Sequence, residues 1–218
     1  MAHRVVVTGW GVLSSIGHTA ESYWSSLSRG VSGIAPATII PTDQLIQKVV
    51  AEVKDYDPQK HFDERTLAPL DRVAQFAVIA ARAAIAHCGL TFDGALADRT
   101  ATIIGCGVGG QGTQDENYRR LYRENAKRLH PLTIPRLMVN APASQISMNC
   151  GLRGPAFVVA SACASATHAI GLAFHMVRAG SVPCAVTGGA EACIAFGTMK
   201  GWEALRVLDR RASCRERV

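Results

Sequence analysis

The sequence predicts an α/β fold in which a largely parallel or mixed sheet is sandwiched between helices. Short apolar runs typical of strands alternate along the chain with longer segments whose apolar residues recur every three or four positions. Five runs are predicted as strands: Val5–Thr8, Lys48–Val53, Thr102–Gly105, Phe157–Ala160 and Cys184–Thr187. With 218 residues, 48% of them hydrophobic, the chain is long enough to bury one sizeable core.

Helical periodicity is clearest in the segments between these runs. Four segments are predicted as helices: Tyr23–Leu27, Asp71–Cys88, Asp115–Arg128 and Met138–Met148. The second has the strongest pattern, and Gly89 directly after it is a typical helix stop. The third is strongly charged, and Pro131 and Pro135 separate it from the fourth.

Cys163 lies where the apolar run Phe157–Ala160 gives way to a fifth helical pattern, which ends at Gly180. At a helix N-terminus, unpaired backbone N–H groups and the positive end of the macrodipole favour a thiolate. The small residues 164–166 leave room for an acyl group at the sulfur. The junction therefore predicts a nucleophile that attacks carbonyl groups, with a buried structural cysteine as the alternative. His168, five residues on, is turned about 140° away and is predicted to be structural.

Several segments along the chain carry motifs: Arg4–Gly11, Ile104–Gly110, Gly151–Pro155, Ser161–Ser165, His168–Gly171 and Gly188–Glu191. In this order they resemble the β-ketoacyl-[acyl-carrier-protein] synthases, and the similarity reaches about Leu208. The elongating FabF (KAS II) type is the most similar subgroup, including the NodE nodulation synthases, which Lys200–Leu205 also resembles.

The resemblance implies a thiolase-like fold, with residues 1–208 as the N-terminal half of a five-layered α-β-α-β-α sandwich. It also implies a decarboxylative condensation. An acyl chain moves from a carrier thioester to Cys163, malonyl carrier loses carbon dioxide, and the carbanion attacks the acyl group to give a 3-oxoacyl carrier. No residue here matches the family's two catalytic histidines and lysine, so we expect this chain alone to be inactive in condensation. It should also expose apolar surface where the second half would pack.

Three further residues take substrate-binding roles from the resemblance. Val108 matches the position that gates the acyl tunnel, and Leu132 and Ile134 lie in the segment that crosses a dimer interface and lines the partner's pocket. The implied partners are an acyl carrier protein, loaded with acyl and malonyl groups, and a second copy of the full-length protein. Arg65 and Arg72 lie near the family's carrier-docking positions.

We expect neither a cofactor nor a metal. Gly9-Trp10-Gly11 follows a predicted strand, but Ser14 replaces the third glycine of a dinucleotide-binding fingerprint. The seven cysteines form no C-x-x-C pair and have no zinc spacing with histidine. In the segment 115–128 the cations are interspersed with Glu116 and Glu124, which is typical of a solvated helix face and not of a nucleic-acid site.

The sequence also permits expectations about cellular location and about the charged C-terminal tail. No run approaches the ~20 apolar residues of a membrane span, and no signal peptide is recognisable, so we expect a cytoplasmic protein. The formal net charge is +6, and residues 209–218 contribute four arginines and two acidic residues to it. This tail is similar to a translated sequencing adapter, and we expect it to be non-native, a native basic tail being the alternative.

Two other functions remain open at this point. A chain-length-factor-like partner subunit keeps the fold without the chemistry, but such subunits usually lack the cysteine. A thiolase-type acyltransferase of the same fold would use coenzyme A thioesters. The sequence does not indicate acyl chain length or the pathway served.

Overall fold

The computed structural model describes residues 3–208. The predictions for the tail 209–218 lie outside the described residues. The helices are α1 (Ala20–Ser28), α2 (Glu64–Leu67), α3 (Arg72–Cys88), α4 (Gly94–Arg99), α5 (Gln111–Tyr122), α6 (Thr133–Leu137), α7 (Ala141–Cys150), α8 (Ser165–Arg178) and α9 (Phe196–Ala204). The strands are β1 (Ala35–Pro36), β2 (Val49–Val50), β3 (Ala101–Gly105), β4 (Ala156–Val159) and β5 (Ala185–Gly189).

A parallel sheet of three strands, in the order β4-β3-β5, organises the fold and confirms the α/β class. All five residues of β3 are buried, which explains why its sequence is apolar without alternation. β1 and β2 form a separate antiparallel pair, so the predicted strand Lys48–Val53 is reduced to Val49–Val50.

The two faces of the sheet pack against different helices, because successive side chains of a strand point to opposite faces. Ile104 of β3 packs with residues of α3 and α7, including Val78 and Ile146. Its neighbour Ile103 packs on the other face, with Ala169 and Ala173 of α8. The sheet is therefore the middle layer between α3 and α7 on one side and α8 on the other.

Helix α3 matches its prediction closely because its end signals are local. The Asp71 carboxylate accepts a hydrogen bond from the Val73 N–H (3.1 Å), and Gly89 ends the helix with a left-handed φ of 67°. The predicted helix Asp115–Arg128 is shifted, since α5 begins at Gln111 and ends at Tyr122. Asn125, just beyond it, has a φ of 52°, which no helical residue adopts.

The predicted strand Val5–Thr8 is wrong. No strand among residues 3–208 pairs with it, and Val7 is 89% exposed. The flanking chain is anchored to helices instead, since the His3 N–H donates to the Arg178 carbonyl (2.9 Å) and a Cβ on Gly9 would overlap the Ala84 carbonyl oxygen. A run of β-branched residues makes a segment suited to a sheet, but a strand exists only where a ladder partner is present.

No helix within residues 3–208 is both long enough and apolar enough to cross a membrane.

Candidate active site

The carboxyl ends of the three parallel strands meet at one edge of the sheet. β3 leads into residues 106–110, β4 into residues 160–163, and β5 into Ala190 and Glu191. Ligands of parallel α/β sheets bind at this edge. The fold therefore brings together three of the motifs that are far apart in the sequence.

Two glycines let α8 begin directly on this edge. A Cβ on Gly105 would overlap the carbonyl carbon of Ser165, and one on Gly189 would lie 2.5 Å from the Ala166 Cβ. The absence of both side chains allows the first turn of α8 to rest on the ends of β3 and β5. Cys163 lies two residues before the part of α8 that makes this contact.

A tight turn of residues 160–164 connects β4 to α8, where the sequence predicts a direct junction. Ala162 adopts a left-handed φ of 50°, which is strained for a residue with a Cβ. The Ser165 hydroxyl stabilises the turn, because it accepts from the Ser161 N–H (2.9 Å) and donates to the Ala162 carbonyl (2.7 Å). Cys163 is exposed in this turn, which we call the elbow.

His168 is held by the same turn. Its Nδ1 lies 2.7 Å from the Ser161 hydroxyl oxygen. No hydrogen bond of the described residues joins it to Cys163, which agrees with its prediction as a structural residue.

Glu191 ties the segment after β3 to the elbow. One carboxylate oxygen accepts from the Gly107 N–H (2.9 Å), and the other accepts from the Cys106 thiol (3.7 Å). A Cβ on Gly107 would lie 3.2 Å from the carboxylate and 3.9 Å from the Ala162 carbonyl oxygen. The loop that carries Val108 is therefore fixed beside the residue that precedes Cys163.

The thiols near this edge differ in their environment. Burial, reinforced by the Glu191 charge, raises the pKa of Cys106 to about 11. Burial and Glu191 likewise raise the pKa of Cys193 to about 11. Both stay protonated at neutral pH, whereas Cys163 is exposed. Exposure thus distinguishes Cys163 as the candidate nucleophile.

The predicted acyl-binding residues are only partly brought together. Val108 is partly exposed and follows Gly107 at the elbow. The next glycines pack against the end of α6, since a Cβ on Gly109 would lie 2.7 Å from the Leu137 carbonyl oxygen. Leu132 and the exposed Ile134 lie at the other end of α6. The contacts of this loop link Val108 to α6 without placing Leu132 or Ile134 at Cys163.

Comparison with known proteins shows the family to which the chain belongs. The family described as beta-ketoacyl synthase, N-terminal domain, matches residues 2–217. The chain belongs to the β-ketoacyl synthase family. Nodulation protein E of Rhizobium sp. (strain N33) is 39% identical over 208 residues, which cover 95% of this chain and 52% of that protein. The 3-oxoacyl-[acyl-carrier-protein] synthase 2 of Staphylococcus aureus (strain N315) is 34% identical and covers 97% of this chain and 52% of its own length.

A solved structure agrees with this family in its fold. The ishigamide ketosynthase/chain length factor superposes with a TM-score of 0.87 at 30% identity, over 96% of this chain and 52% of that one. The predicted family and thiolase-like fold are confirmed, and the match is to the N-terminal half. The chain spans about half the length of the curated relatives it matches.

Asp71, which supports the elements around the Val108 loop, is recognisable in the sequence only as a helix start. Asp71 is 4% exposed, and besides capping α3 it accepts from the N–H (2.9 Å) and the hydroxyl (2.7 Å) of Thr113 in α5. It thereby fixes α5, which follows the Val108 loop. Glu191 was noted only within a motif, although a carboxylate directly after a parallel strand is a usable signal for this edge.

Two clefts of the chain are lined by residues other than Cys163. One, of about 900 Å³, is lined by residues of α5 and the segment 39–44, and the other, of about 620 Å³, by residues 52–57 and Arg72. Their lining carries both signs of charge and no exposed thiol, so the chemistry favours the strand-end edge over either cleft. Within residues 3–208 no group of three or more histidine, cysteine or acidic side chains could hold a metal ion.

Proposed function

We propose that this chain carries the acyl-accepting site of a β-ketoacyl-[acyl-carrier-protein] synthase, with Cys163 as the nucleophile. The observation that carries the proposal is the exposed thiol at a strained turn before α8, on the carboxyl edge of a parallel sheet. Buried structural cysteine, the alternative interpretation, does not fit an exposed side chain.

The transfer needs few groups on the protein. The Cys163 thiolate attacks the carbonyl carbon of an acyl thioester, a new C–S bond forms, and the carrier thiolate leaves and takes up a proton. The Cys163 N–H donates to no acceptor within residues 3–208, so it can donate to the oxyanion of the tetrahedral intermediate. The positive end of α8 favours the same negative charge.

Condensation with malonyl carrier belongs to the complete protein in this proposal. The sequence resemblance implies two catalytic histidines and a lysine, and no residue of this chain matches them. The product would be a 3-oxoacyl carrier, and Val108, Leu132 and Ile134 would line the acyl site. Transfer to Cys163 is the step that this chain can perform by itself.

The contacts of Arg65 and Arg72 indicate which of the two is available to bind the carrier protein. Arg65 is exposed on α2. Arg72 is not free to dock, because its guanidinium donates to the Val53 carbonyl (3.0 Å) and lies over the rings of Tyr56 and Phe76. We therefore propose Arg65 for contact with the acidic carrier. A homodimer and a cytoplasmic location, both expected from the sequence, are also part of this proposal.

A second candidate function is a chain-length-factor-like subunit without chemistry. The similarity to the ishigamide ketosynthase/chain length factor favours it as much as it favours a ketosynthase. Retention of Cys163 in an exposed position favours the catalytic role. A thiolase-type enzyme differs from both in its donor, which would be a coenzyme A thioester.

Acylation measured by intact mass distinguishes these functions. The chain is incubated separately with an acyl-[acyl-carrier-protein] and with the same acyl group on coenzyme A. We expect one acyl mass on the wild type with the carrier, none on Cys163→Ala, and an unchanged adduct on Cys193→Ala. Transfer from coenzyme A alone would favour the thiolase-type enzyme. No adduct from either donor would support the subunit without chemistry.

A further inference from the structure

Gln111, the first residue of α5, connects three parts of the molecule. Its side-chain N–H₂ donates to the Val108 carbonyl (3.1 Å) and to the Gln114 side-chain oxygen (3.1 Å). Its own side-chain oxygen accepts from the Thr198 hydroxyl in α9 (3.2 Å). One amide therefore links the Val108 loop to α9, although the two are about 90 residues apart in the chain.

α9 is in turn held at both of its ends. Near its start, the Gly197 N–H donates to the Asp115 carboxylate (3.2 Å). Near its end, Glu203 accepts from the N–H groups of Ile46 (2.6 Å) and Gln47 (2.9 Å). Lys200 adds a hydrogen bond to the Gln44 carbonyl (2.6 Å). A helix fixed in this way is a stable reference against which the Val108 loop can be positioned.

The Val108 loop has few other restraints on its solvent side. Val108 itself is partly exposed, and the glycines around it permit conformations that other residues would not adopt. Glu191 fixes the loop at Gly107, and Gly110 donates to the Leu137 carbonyl (3.2 Å). The carbonyl of Val108, between these two points, is held by Gln111.

We infer that Gln111 is a positioning residue that, with Thr198, couples the conformation of the Val108 loop to α9 and so sets which acyl chains reach Cys163. The coupling itself stands on the hydrogen bonds above. Its effect on acyl selection rests on the proposed function.

The coupling is tested by hydrogen–deuterium exchange in Gln111→Met, Thr198→Val and the double variant. Methionine and valine keep the approximate size of the side chains and remove the hydrogen bonds. We expect exchange within residues 106–110 to rise on the order of threefold to tenfold in either single variant. The double variant should add nothing beyond the larger single effect, since both remove one linkage. Glu116→Met, at an exposed position of α5 with no hydrogen bond to Gln111, Val108 or α9 among the described residues, is the control and should leave this segment unchanged.

Acyl selection is read separately, as the relative rates of Cys163 acylation by short, medium and long saturated acyl carriers. Gln111→Met should flatten this profile while Glu116→Met preserves it, and Gln111→Glu, which keeps only the acceptor for Thr198, should not restore it. Additive exchange effects, or unchanged exchange in residues 106–110, would overturn the coupling. If the wild type accepts no acyl group, the proposed function fails, and the exchange data still decide the coupling. An unchanged profile beside altered exchange would overturn the role in selection.

Discussion

Two alanine-rich helices, α3 and α8, lie on opposite faces of the same sheet and differ in how far they are covered. α3 buries Val73, Phe76 and Val78 among its core residues. α8 buries only Ser165, Ala169 and Ala173, and it leaves Ile170 and Phe174 exposed.

The ends of α3 are also better capped than the start of α8. α3 is capped by a buried carboxylate and ends at a left-handed glycine, whereas α8 has no side-chain cap at its start. The comparison shows that two helices on one sheet differ in how far tertiary contacts cover them, and most helical stability in proteins comes from such contacts. The less covered helix is the one next to Cys163. Its exposed apolar side chains agree with the expectation of uncovered surface in this half.

The largest expected effect is at the contact of α8 with the sheet. Gly105→Ala places a methyl group in the backbone of Ser165, so α8 must move, and the free energy of unfolding should fall by about 3 kcal/mol or more. Gly171→Ala adds the same methyl group in α8 where nothing lies within 4 Å, and it should stabilise by up to about 1 kcal/mol. Urea unfolding followed by circular dichroism gives both values. Equal effects would mean that α8 is not fixed by this contact.

The cap of α3 comes next. Asp71→Ala removes the bond to Val73 and leaves the N–H and hydroxyl of buried Thr113 without an acceptor, so it should cost about 2 to 3 kcal/mol. Asp93→Ala is the matched control, because Asp93 precedes α4 without a side-chain capping bond, and it should cost less than about 0.5 kcal/mol. Chemical denaturation of both variants measures the difference. A small loss for Asp71→Ala would show that α5 does not depend on this carboxylate.

Shortening an apolar side chain should lower the free energy of unfolding more in α3 than in α8, and this difference should be smaller than those above. Val78→Ala in α3 removes a side chain with no exposure and should cost about 2 kcal/mol. Ile170→Ala in α8 removes a larger side chain that is 50% exposed, and it should cost less than about 1 kcal/mol. Thermal and urea unfolding check the order. If Ile170→Ala is the more costly change, its side chain is covered in solution.

The smallest expected effect is on the pH dependence of stability, through Glu52. Burial opposes the ionisation of Glu52, but hydrogen bonds from the hydroxyl and N–H of Thr38 and from the Ile39 N–H outweigh it and lower its pKa. A lowered folded-state pKa stabilises the protein above the unfolded-state pKa, and the contribution disappears as the pH falls through the folded-state value. Wild type and Glu52→Gln should therefore differ in stability at neutral pH and converge in acid. Urea midpoints measured across this range test the prediction, and a constant difference would contradict it.

Features with local signals were predictable from the sequence. Asp71 and Gly89 mark the ends of α3, and the apolar runs of β3, β4 and β5 stand out without knowledge of the fold. The strand-to-helix junction at Cys163 also has a local signal, and the role of Cys163 as a nucleophile stays a prediction. What was missed depends on distant contacts. Val5–Thr8 has the pattern of a strand but no partner.

The missing parts of the site have the same cause. Glu191 binds the Gly107 N–H across 84 residues, and no local pattern encodes such a pair. The early start of α5 coincides with the Asp71 contact to Thr113, 42 residues away. α9 contains Gly197 and Gly201, which weaken its helical pattern, and tertiary hydrogen bonds hold it instead.

The unequal environments of the cysteines have a practical consequence for labelling. Burial raises the pKa of Cys106, Cys150, Cys184 and Cys193, while Cys163 is the exposed thiol within residues 3–208. A limiting amount of a thiol-selective electrophile at neutral pH should therefore modify Cys163 ahead of these four. A fluorophore, spin label or heavy atom could be attached at the candidate active site while these four cysteines are left in place.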